Sequence, residues 1–390
     1  MRGSYRPVAM IFLAACLLPV AGLVLALYAY DPAQIYHSAW GRQPTIQTNL
    51  RIQIAGLARH GEFDALILGT SVFENHSADE LSEQLGGKFI NVSISAGDYY
   101  ERGLILAHLL KARPIRQVVW SLDWIYLNQR HGYRVFPLPT FDFLYDDNPL
   151  NDLRLYMNRH FLGCLLQWSK SEACIGRPVT FDRPNAWDGV AEHAARFGGL
   201  EHWCAAIDHW QMRDVAEKLT TALARIATHD MDHAAGGANT SRAIAYIEDN
   251  LLKQVERHPQ TRFSLIFPPY SRAKLAIWHQ QQPGAVETHQ AVVRHLAHRA
   301  KQLPNLEILG FEDQEFLEDM QHYKDLDHFD SAINRLISAA LRDGHNRITA
   351  ANVEAYLVEA GRRARTYDLV RLASRLEACR NRQSALAGQR

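Results

Sequence analysis

Three side chains in this 390-residue sequence have the chemistry of a serine nucleophile and its base. Ser71 follows the apolar run 65–68 (Ala-Leu-Ile-Leu) and the small residues Gly69 and Thr70, whereas Asp325 and His328 lie three positions apart much later in the chain. A serine attacks a carbonyl carbon when a histidine removes its proton and a carboxylate orients that histidine. These residue types therefore indicate acyl transfer through a serine.

Each motif by itself also has an ordinary structural interpretation. Ser71 could be a turn residue, Asp325 a helix N-cap and His328 a polar residue at the start of a helix. The order of the motifs is more specific than either motif alone. The serine follows the first predicted strand, and the Asp-x-x-His sequence follows the last predicted strand and precedes a helix.

The segments that must position these residues alternate between strand and helix patterns. Apolar runs predict strands, and a 3.6-residue apolar period predicts helices. The predicted strands are 65–69, 89–93, 117–122, 262–267 and 306–309, and the main predicted helices are 77–86, 99–112, 286–302 and 332–342. Ser77 and Asp98 are predicted N-caps, and Thr349 is predicted to cap a later helix. This alternation predicts an α/β domain with a central parallel sheet, whose carboxyl edge binds ligands.

Five segments are predicted along the chain. Prolines interrupt the aromatic-rich middle, which is therefore expected to be a mostly helical insertion, and the arginine-rich end is expected to be a solvated helical tail. The segments are an anchor or signal at 1–30, the first part of the domain at 31–126, the insertion at 127–260, the second part of the domain at 261–345, and the tail at 346–390.

The first 30 residues predict where the protein lies in the cell. Arg2 and Arg6 precede an uncharged apolar run that continues to Tyr30, which is long enough to span a membrane as a helix. Positive charge before the run places the N-terminus in the cytoplasm and the rest outside it. The prediction is a single-pass anchor in a bacterial inner membrane with a periplasmic domain. A cleaved signal, or a lipoprotein signal ending at Cys16, remains an alternative.

The composition gives no support for a nucleic-acid partner, and it does not decide whether the cysteines form disulfides. Lys plus Arg and Asp plus Glu both number 42, so no net charge favours nucleic acid. Cys164, Cys174 and Cys204 could form a disulfide in an oxidising compartment, with Cys164–Cys174 the simplest pairing by spacing, or they could be buried thiols. No cofactor is expected. Residues 229–233 (His-Asp-Met-Asp-His) could hold a metal but are more typical of a solvated loop.

The sequence resembles the SGNH (GDSL-like) hydrolase superfamily, in particular its membrane-anchored, exported branch, which includes alginate acetylation proteins and the D-alanine transfer protein. Residues 64–71 are similar to the first block of the family, with Ser71 as nucleophile, and Asp325 and His328 are similar to the last block. Residues 91–97 resemble the second block, which makes Asn91 and Gly97 the candidate oxyanion residues, with Ala96 as the alternative to Gly97. The resemblance implies a three-layer α/β fold.

One block of the family is incomplete in this chain. The third block normally supplies an asparagine to the oxyanion hole, but here the third strand is followed by Asp123 and Trp124. Asn128 is a candidate substitute. Asp123 at the third block, Trp124 and Tyr270 are predicted to line the substrate site. Trp124 belongs to an aromatic-rich stretch that suits stacking on sugar rings, and Tyr270, or Ser271 beside it, follows a strand at the same sheet edge. Loss of one oxyanion donor typically lowers the rate by ~10²–10³.

The resemblance implies a serine-dependent O-acetyl transferase or esterase acting on an exported polysaccharide or a cell-wall polymer. The partners it implies are that polymer, the membrane and other proteins of an envelope assembly complex. The alternative is a non-catalytic carbohydrate-binding or assembly protein of a surface-polymer export system. The missing third-block asparagine favours this alternative, whereas the joint presence of Ser71, Asp325 and His328 favours the enzyme.

Overall fold

A computed structural model of the chain describes residues 5–127, 141–228 and 238–387. Its helices are α1 (Arg6–Tyr30), α2 (Leu50–His60), α3 (Ala78–Leu85), α4 (Tyr99–Ala112), α5 (Arg159–Leu166), α6 (Glu172–Ile175), α7 (Ala191–Ala194), α8 (Leu200–Ala205), α9 (Trp210–Thr228), α10 (Ala238–Ile247), α11 (Lys253–Arg257), α12 (Arg272–Gln281), α13 (Pro283–Gln302), α14 (Ser331–Asp343), α15 (Val353–Thr366) and α16 (Leu369–Ala387). The strands are β1 (Ala65–Leu68), β2 (Phe89–Asn91), β3 (Gln117–Ser121), β4 (Arg262–Ile266) and β5 (Leu306–Leu309). The predicted α/β class is confirmed.

The five strands form one parallel sheet in the order β2-β1-β3-β4-β5. Nearly every strand side chain is buried, which explains why most strand residues are apolar. The strand order reverses between β1 and β3. In open α/β sheets, ligands bind beyond the carboxyl ends of the strands at such a reversal. Ser71 follows β1 and Asp123 follows β3, so both lie at this position.

Two compact units divide the chain. The first contains residues 1–62, 108–113 and 136–180, and the second contains residues 63–107, 114–135 and 181–390. The sheet and every predicted catalytic residue belong to the second unit. In the parts of 127–260 that the structure describes, the regular elements are helices, and α1 in the first unit is long and apolar enough to span a membrane.

Two of the three predicted helix N-caps are confirmed. The Ser77 hydroxyl accepts the amide of Glu80 at the start of α3, and the Asp98 carboxylate accepts the amide of Glu101 at the start of α4. The prediction for Thr349 was wrong. Asn352 is the N-cap of α15, and its side chain instead accepts the amide of Thr349 in the preceding turn.

The C-terminal tail is helical, but it is not solvated on all sides. Ala364, Leu369, Leu372 and Leu376 are buried in the core of the second unit. A disulfide joins Cys204 in α8 to Cys379 in α16, and within the first unit a second disulfide joins Cys164 to Cys174. The Cys164–Cys174 pairing matches the simplest sequence expectation, whereas Cys379 as the partner of Cys204 was not anticipated.

Candidate active site

The turn after β1 holds Ser71 in a fixed position. The Gly69 amide donates to the Ser93 hydroxyl over 3.0 Å, and the Phe73 amide donates to the Thr70 carbonyl over 3.0 Å. A Cβ atom at Gly69 would lie 2.7 Å from both the Phe73 Cβ and the Ser121 Oγ, so only glycine fits there. Close packing against the end of β3 therefore explains the glycine two positions before the serine.

The structure brings Ser71, His328 and Asp325 together. The Ser71 Oγ lies 3.0 Å from His328 Nε2, and His328 Nδ1 lies 2.9 Å from Asp325 Oδ2 and 3.0 Å from Oδ1. With the Nδ1 proton directed to Asp325, Nε2 is free to accept the serine proton. This is the hydrogen-bonded order of nucleophile, base and orienting carboxylate.

Asp325 is bound as an anion. Its Oδ1 accepts the amides of Asp327 and His328 over 2.9 and 2.8 Å, and its Oδ2 accepts from Lys324 Nζ over 3.2 Å. Burial alone would raise the pKa of this carboxyl, but His328 and then Lys324 outweigh burial and hold the pKa well below its usual range. Asp330 is the N-cap of α14, so Asp325 is not needed for capping and is available to His328.

Trp187 completes the site from a segment that sequence patterns did not mark. Its indole N–H donates to the Ser71 carbonyl oxygen over 2.9 Å, and its ring stands edge-on to the His328 ring at 5.3 Å between centroids. Lys324 Nζ lies 4.5 Å from the centroid of the Trp187 ring, within the range of a cation–π contact. The tryptophan thus contacts both reacting residues, and only the tertiary structure places it there.

A pocket of about 370 Å³ opens at Ser71 and His328. Two of the predicted substrate residues, Trp124 and Tyr270, line it. The other lining residues are Val72, Leu127, Lys274, Trp278, Gln282 and Asp327. Trp124 packs face to face with Trp278, and Lys274 Nζ lies 2.9 Å from an oxygen of Asp327. The pocket therefore combines an aromatic wall with one ion pair.

Asp123, the third predicted substrate residue, is not at the pocket surface. Its carboxylate is 2 % exposed and accepts from Thr70 Oγ1 over 2.7 Å and from the Tyr270 hydroxyl over 3.2 Å. It also accepts from the Ser121 hydroxyl and pairs with Arg102 at 3.2 Å. These four groups enclose the carboxylate, so the prediction that Asp123 binds substrate directly was wrong. Asp123 instead supports the turn that carries Ser71.

The N–H groups of the two predicted oxyanion residues already donate to carbonyl oxygens of the protein. The Asn91 side chain donates to the carbonyls of Phe73 and His76, and the Gly97 amide donates to the Ile94 carbonyl over 2.9 Å. Neither can donate to an oxyanion in this conformation, so both assignments are corrected. Among the described residues, the backbone amides of Ser71 and Val72 have no hydrogen-bond partner, and both residues line the pocket. Asn128 lies outside the described residues.

Glu74 is a buried carboxyl group beside the site that sequence reasoning missed. It accepts from Ser95 Oγ over 2.7 Å and from the Asn185 side-chain amide over 3.3 Å. Burial raises the pKa of this carboxyl despite those hydrogen bonds and the nearby His328. Through the hydrogen bond with Ser95, Glu74 joins the turn that carries Ser71 to the segment after β2.

In the part of the chain that the structure describes, no group of three or more His, Cys, Asp or Glu side chains is placed to hold a metal ion. Residues 229–233 lie outside that part. Comparisons of the chain with protein-family models, with curated proteins and with solved structures found no match. The arguments for function therefore come from the residues and their geometry.

Proposed function

We propose that this chain is a serine-dependent esterase or O-acyl transferase of the SGNH-like type. The observation that carries the proposal is the hydrogen-bonded series Ser71–His328–Asp325 at the mouth of an open pocket, at the reversal of a parallel sheet. The five-stranded parallel sheet agrees in coarse terms with the fold that the resemblance implies.

The reaction would proceed through an acyl-enzyme. The Ser71 oxygen bonds to the carbonyl carbon of an ester while His328 Nε2 takes the serine proton, and Asp325 stabilises the charged imidazole. His328 then gives that proton to the departing alcohol as the carbon–oxygen bond breaks. A second hydroxyl, from water or from a sugar, then attacks the carbonyl carbon of the acyl-serine while His328 Nε2 takes its proton. The bond between that carbon and the Ser71 oxygen breaks, and His328 returns the proton to Ser71. The amides of Ser71 and Val72 are the available donors for the oxyanion.

Sugar as the acceptor or donor of the acyl group is supported by the aromatic wall of the pocket. Trp278 is the partly exposed ring of this wall and the one that a pyranose ring can contact, because Trp124 is 7 % exposed and stacks on both Trp278 and His289. Lys274, Asp327 and Gln282 offer polar groups to hydroxyls. An exported polysaccharide or a cell-wall polymer therefore remains the proposed substrate class, with envelope assembly proteins as its proposed partners.

An exported location is supported by the cysteines and by α1. Four of the five cysteines form two disulfides, which persist in oxidising compartments such as the periplasm. The last turn of α1 packs into the first unit through Leu27 and Tyr30, which favours a retained anchor over a cleaved signal. We therefore propose a bacterial inner-membrane protein with its N-terminus in the cytoplasm and the remainder in the periplasm.

Full-length protein in detergent micelles tests the catalytic proposal. The rate of acetate release from p-nitrophenyl acetate and from acetylated glycans is measured for wild type, S71A and D325N. We expect S71A to lose about 10³-fold or more in kcat/KM, since the nucleophile is removed. S374A removes an exposed serine of α16 and should retain the full rate. Equal rates for S71A and wild type would favour the alternative, a non-catalytic polymer-binding protein.

A further inference from the structure

The uncovered length of α1 matches the thickness of a bilayer. From Arg6 to Ala26 no side chain is buried, whereas Leu27 and Tyr30 are buried in the first unit. These 21 residues rise ~31 Å as an α-helix, against ~30 Å for the hydrocarbon core of a bilayer. If this stretch spans the hydrocarbon, the groups that surround the last turn of α1 lie at the depth of the lipid headgroups.

Aromatic and apolar side chains from distant parts of the first unit gather around that last turn. The Trp168 ring lies 5.2 Å from the Tyr30 ring, and the Tyr30 hydroxyl donates to the Ser169 carbonyl over 2.6 Å. Trp168 is nevertheless 50 % exposed, and Leu166, two positions earlier, is 88 % exposed. Such exposure of large apolar groups beside an apolar helix indicates a surface that contacts something other than water.

A second group of aromatics lies on the turn that follows α1. The Trp40 ring stacks on His37 at 3.7 Å and stands edge-on to Tyr28 at 5.9 Å, and His37 Nε2 is 2.7 Å from the Tyr28 carbonyl. Trp40 is 59 % exposed and Tyr28 is 42 % exposed. These contacts hold Trp40 beside the helix end without burying it.

We infer that the exposed side chains of Tyr28, Trp40, Leu166 and Trp168 form a collar that inserts into the headgroup region of the lipid bilayer around α1, with the buried Tyr30 packed behind Trp168. Tryptophan and tyrosine favour this region because an apolar ring and a polar N–H or O–H suit its two sides. The exposed Lys170 lies two positions after Trp168; its ammonium donates to the Gly41 carbonyl over 3.2 Å and has further N–H groups for lipid phosphates. The inference rests on the proposed membrane anchoring but not on the catalytic function.

Quenching of tryptophan fluorescence in liposomes tests the collar on the full-length protein. Liposomes of phosphatidylcholine and phosphatidylglycerol carry a fraction of lipid with a nitroxide near the headgroup, and the lipid-quenched fraction is measured for wild type, W40F, W168F and W40F/W168F. Each single variant should lose part of that fraction, and the double variant most of it, although these are only two of eight tryptophans. W210F removes a tryptophan of similar exposure, 63 %, that is not part of the collar.

Two outcomes would overturn the inference, and they are distinguishable. Protein that does not float with the liposomes would refute the anchor and the collar together. Protein that floats but whose W40F and W168F variants lose no more lipid quenching than W210F would refute the collar and leave the anchor standing. The full-length L166S variant provides a second check. If Leu166 contacts lipid, its replacement by serine should make the variant easier to extract from the liposomes than wild type.

Discussion

Glu74 is a buried carboxyl group beside the site, and its ionisation affects stability. Burial raises the pKa of its carboxyl, so the native state binds more protons than the unfolded chain at pH values between the ordinary glutamate pKa of 4.5 and the raised value. Linkage then requires stability to fall as pH rises through this interval. The contribution is complete below the ordinary pKa and is lost above the raised one.

The variant E74Q should remove this pH dependence because the amide does not ionise. Urea unfolding is measured for wild type and E74Q at several pH values from 4 to 8. We expect the stability of E74Q relative to wild type to increase with pH. E83Q, at an exposed glutamate of α3, should show no such trend. A constant difference between E74Q and wild type at every pH would show that Glu74 does not bind the additional proton.

The buried carboxylate of Asp123 joins the segments that follow β1 and β3. Asp123 follows β3 and accepts from Thr70, the residue before the nucleophile, and it pairs with Arg102 of α4, which is fully buried. A buried ion pair adds little net stability, but removal of one partner leaves an uncompensated charge. Asp123 therefore affects both the fold and the position of Ser71.

Replacement by D123A should lower the free energy of unfolding by about 3–5 kcal/mol because Arg102 would remain buried without its partner. D123N keeps an acceptor for Thr70 and should be less destabilised. The matched control is D214A, which breaks the exposed Asp214–Lys218 pair of α9 and should cost less than about 1 kcal/mol. Similar losses for D123A and D214A in urea unfolding would contradict the role assigned to Asp123.

At the scale of the whole molecule, a disulfide joins two parts of the second unit that are far apart in sequence. Cys204 and Cys379 are separated by 175 residues, and Cys164 and Cys174 by 10. In the chain-entropy model, closure of the longer loop restricts the unfolded chain by ~5 kcal/mol and closure of the shorter loop by ~3 kcal/mol. The C-terminal helix α16 is therefore held to the core by a covalent bond as well as by its buried leucines.

The double variant C204S/C379S should lower Tm in a calorimetric scan, and the loss of unfolding free energy should be about 2–5 kcal/mol. C164S/C174S, which opens the shorter loop, should show a smaller loss. Reductant added to wild type should reproduce the combined loss. An unchanged Tm for C204S/C379S would mean that packing alone fixes α16.

The sequence by itself determined the five strands and several of the helices, because their signals are local, although it did not mark α2 or α12. Four-to-six-residue apolar runs marked all five strands, a capping serine and aspartate marked the starts of α3 and α4, and the uncharged run before Asp31 marked α1. It also supplied Ser71, Asp325 and His328 as candidates, since their chemical types and their order along the chain are properties of sequence alone.

Only the tertiary structure decided which polar groups form hydrogen bonds within the fold and which are free to act on a substrate. Asn91, Gly97 and Asp123 satisfy buried partners, because a buried polar group without a hydrogen bond is costly. Trp187 reaches Ser71, and Cys379 reaches Cys204, over separations at which no periodicity relates the residues. Contacts of this kind depend on how the elements pack, and the local pattern of a sequence does not contain that information.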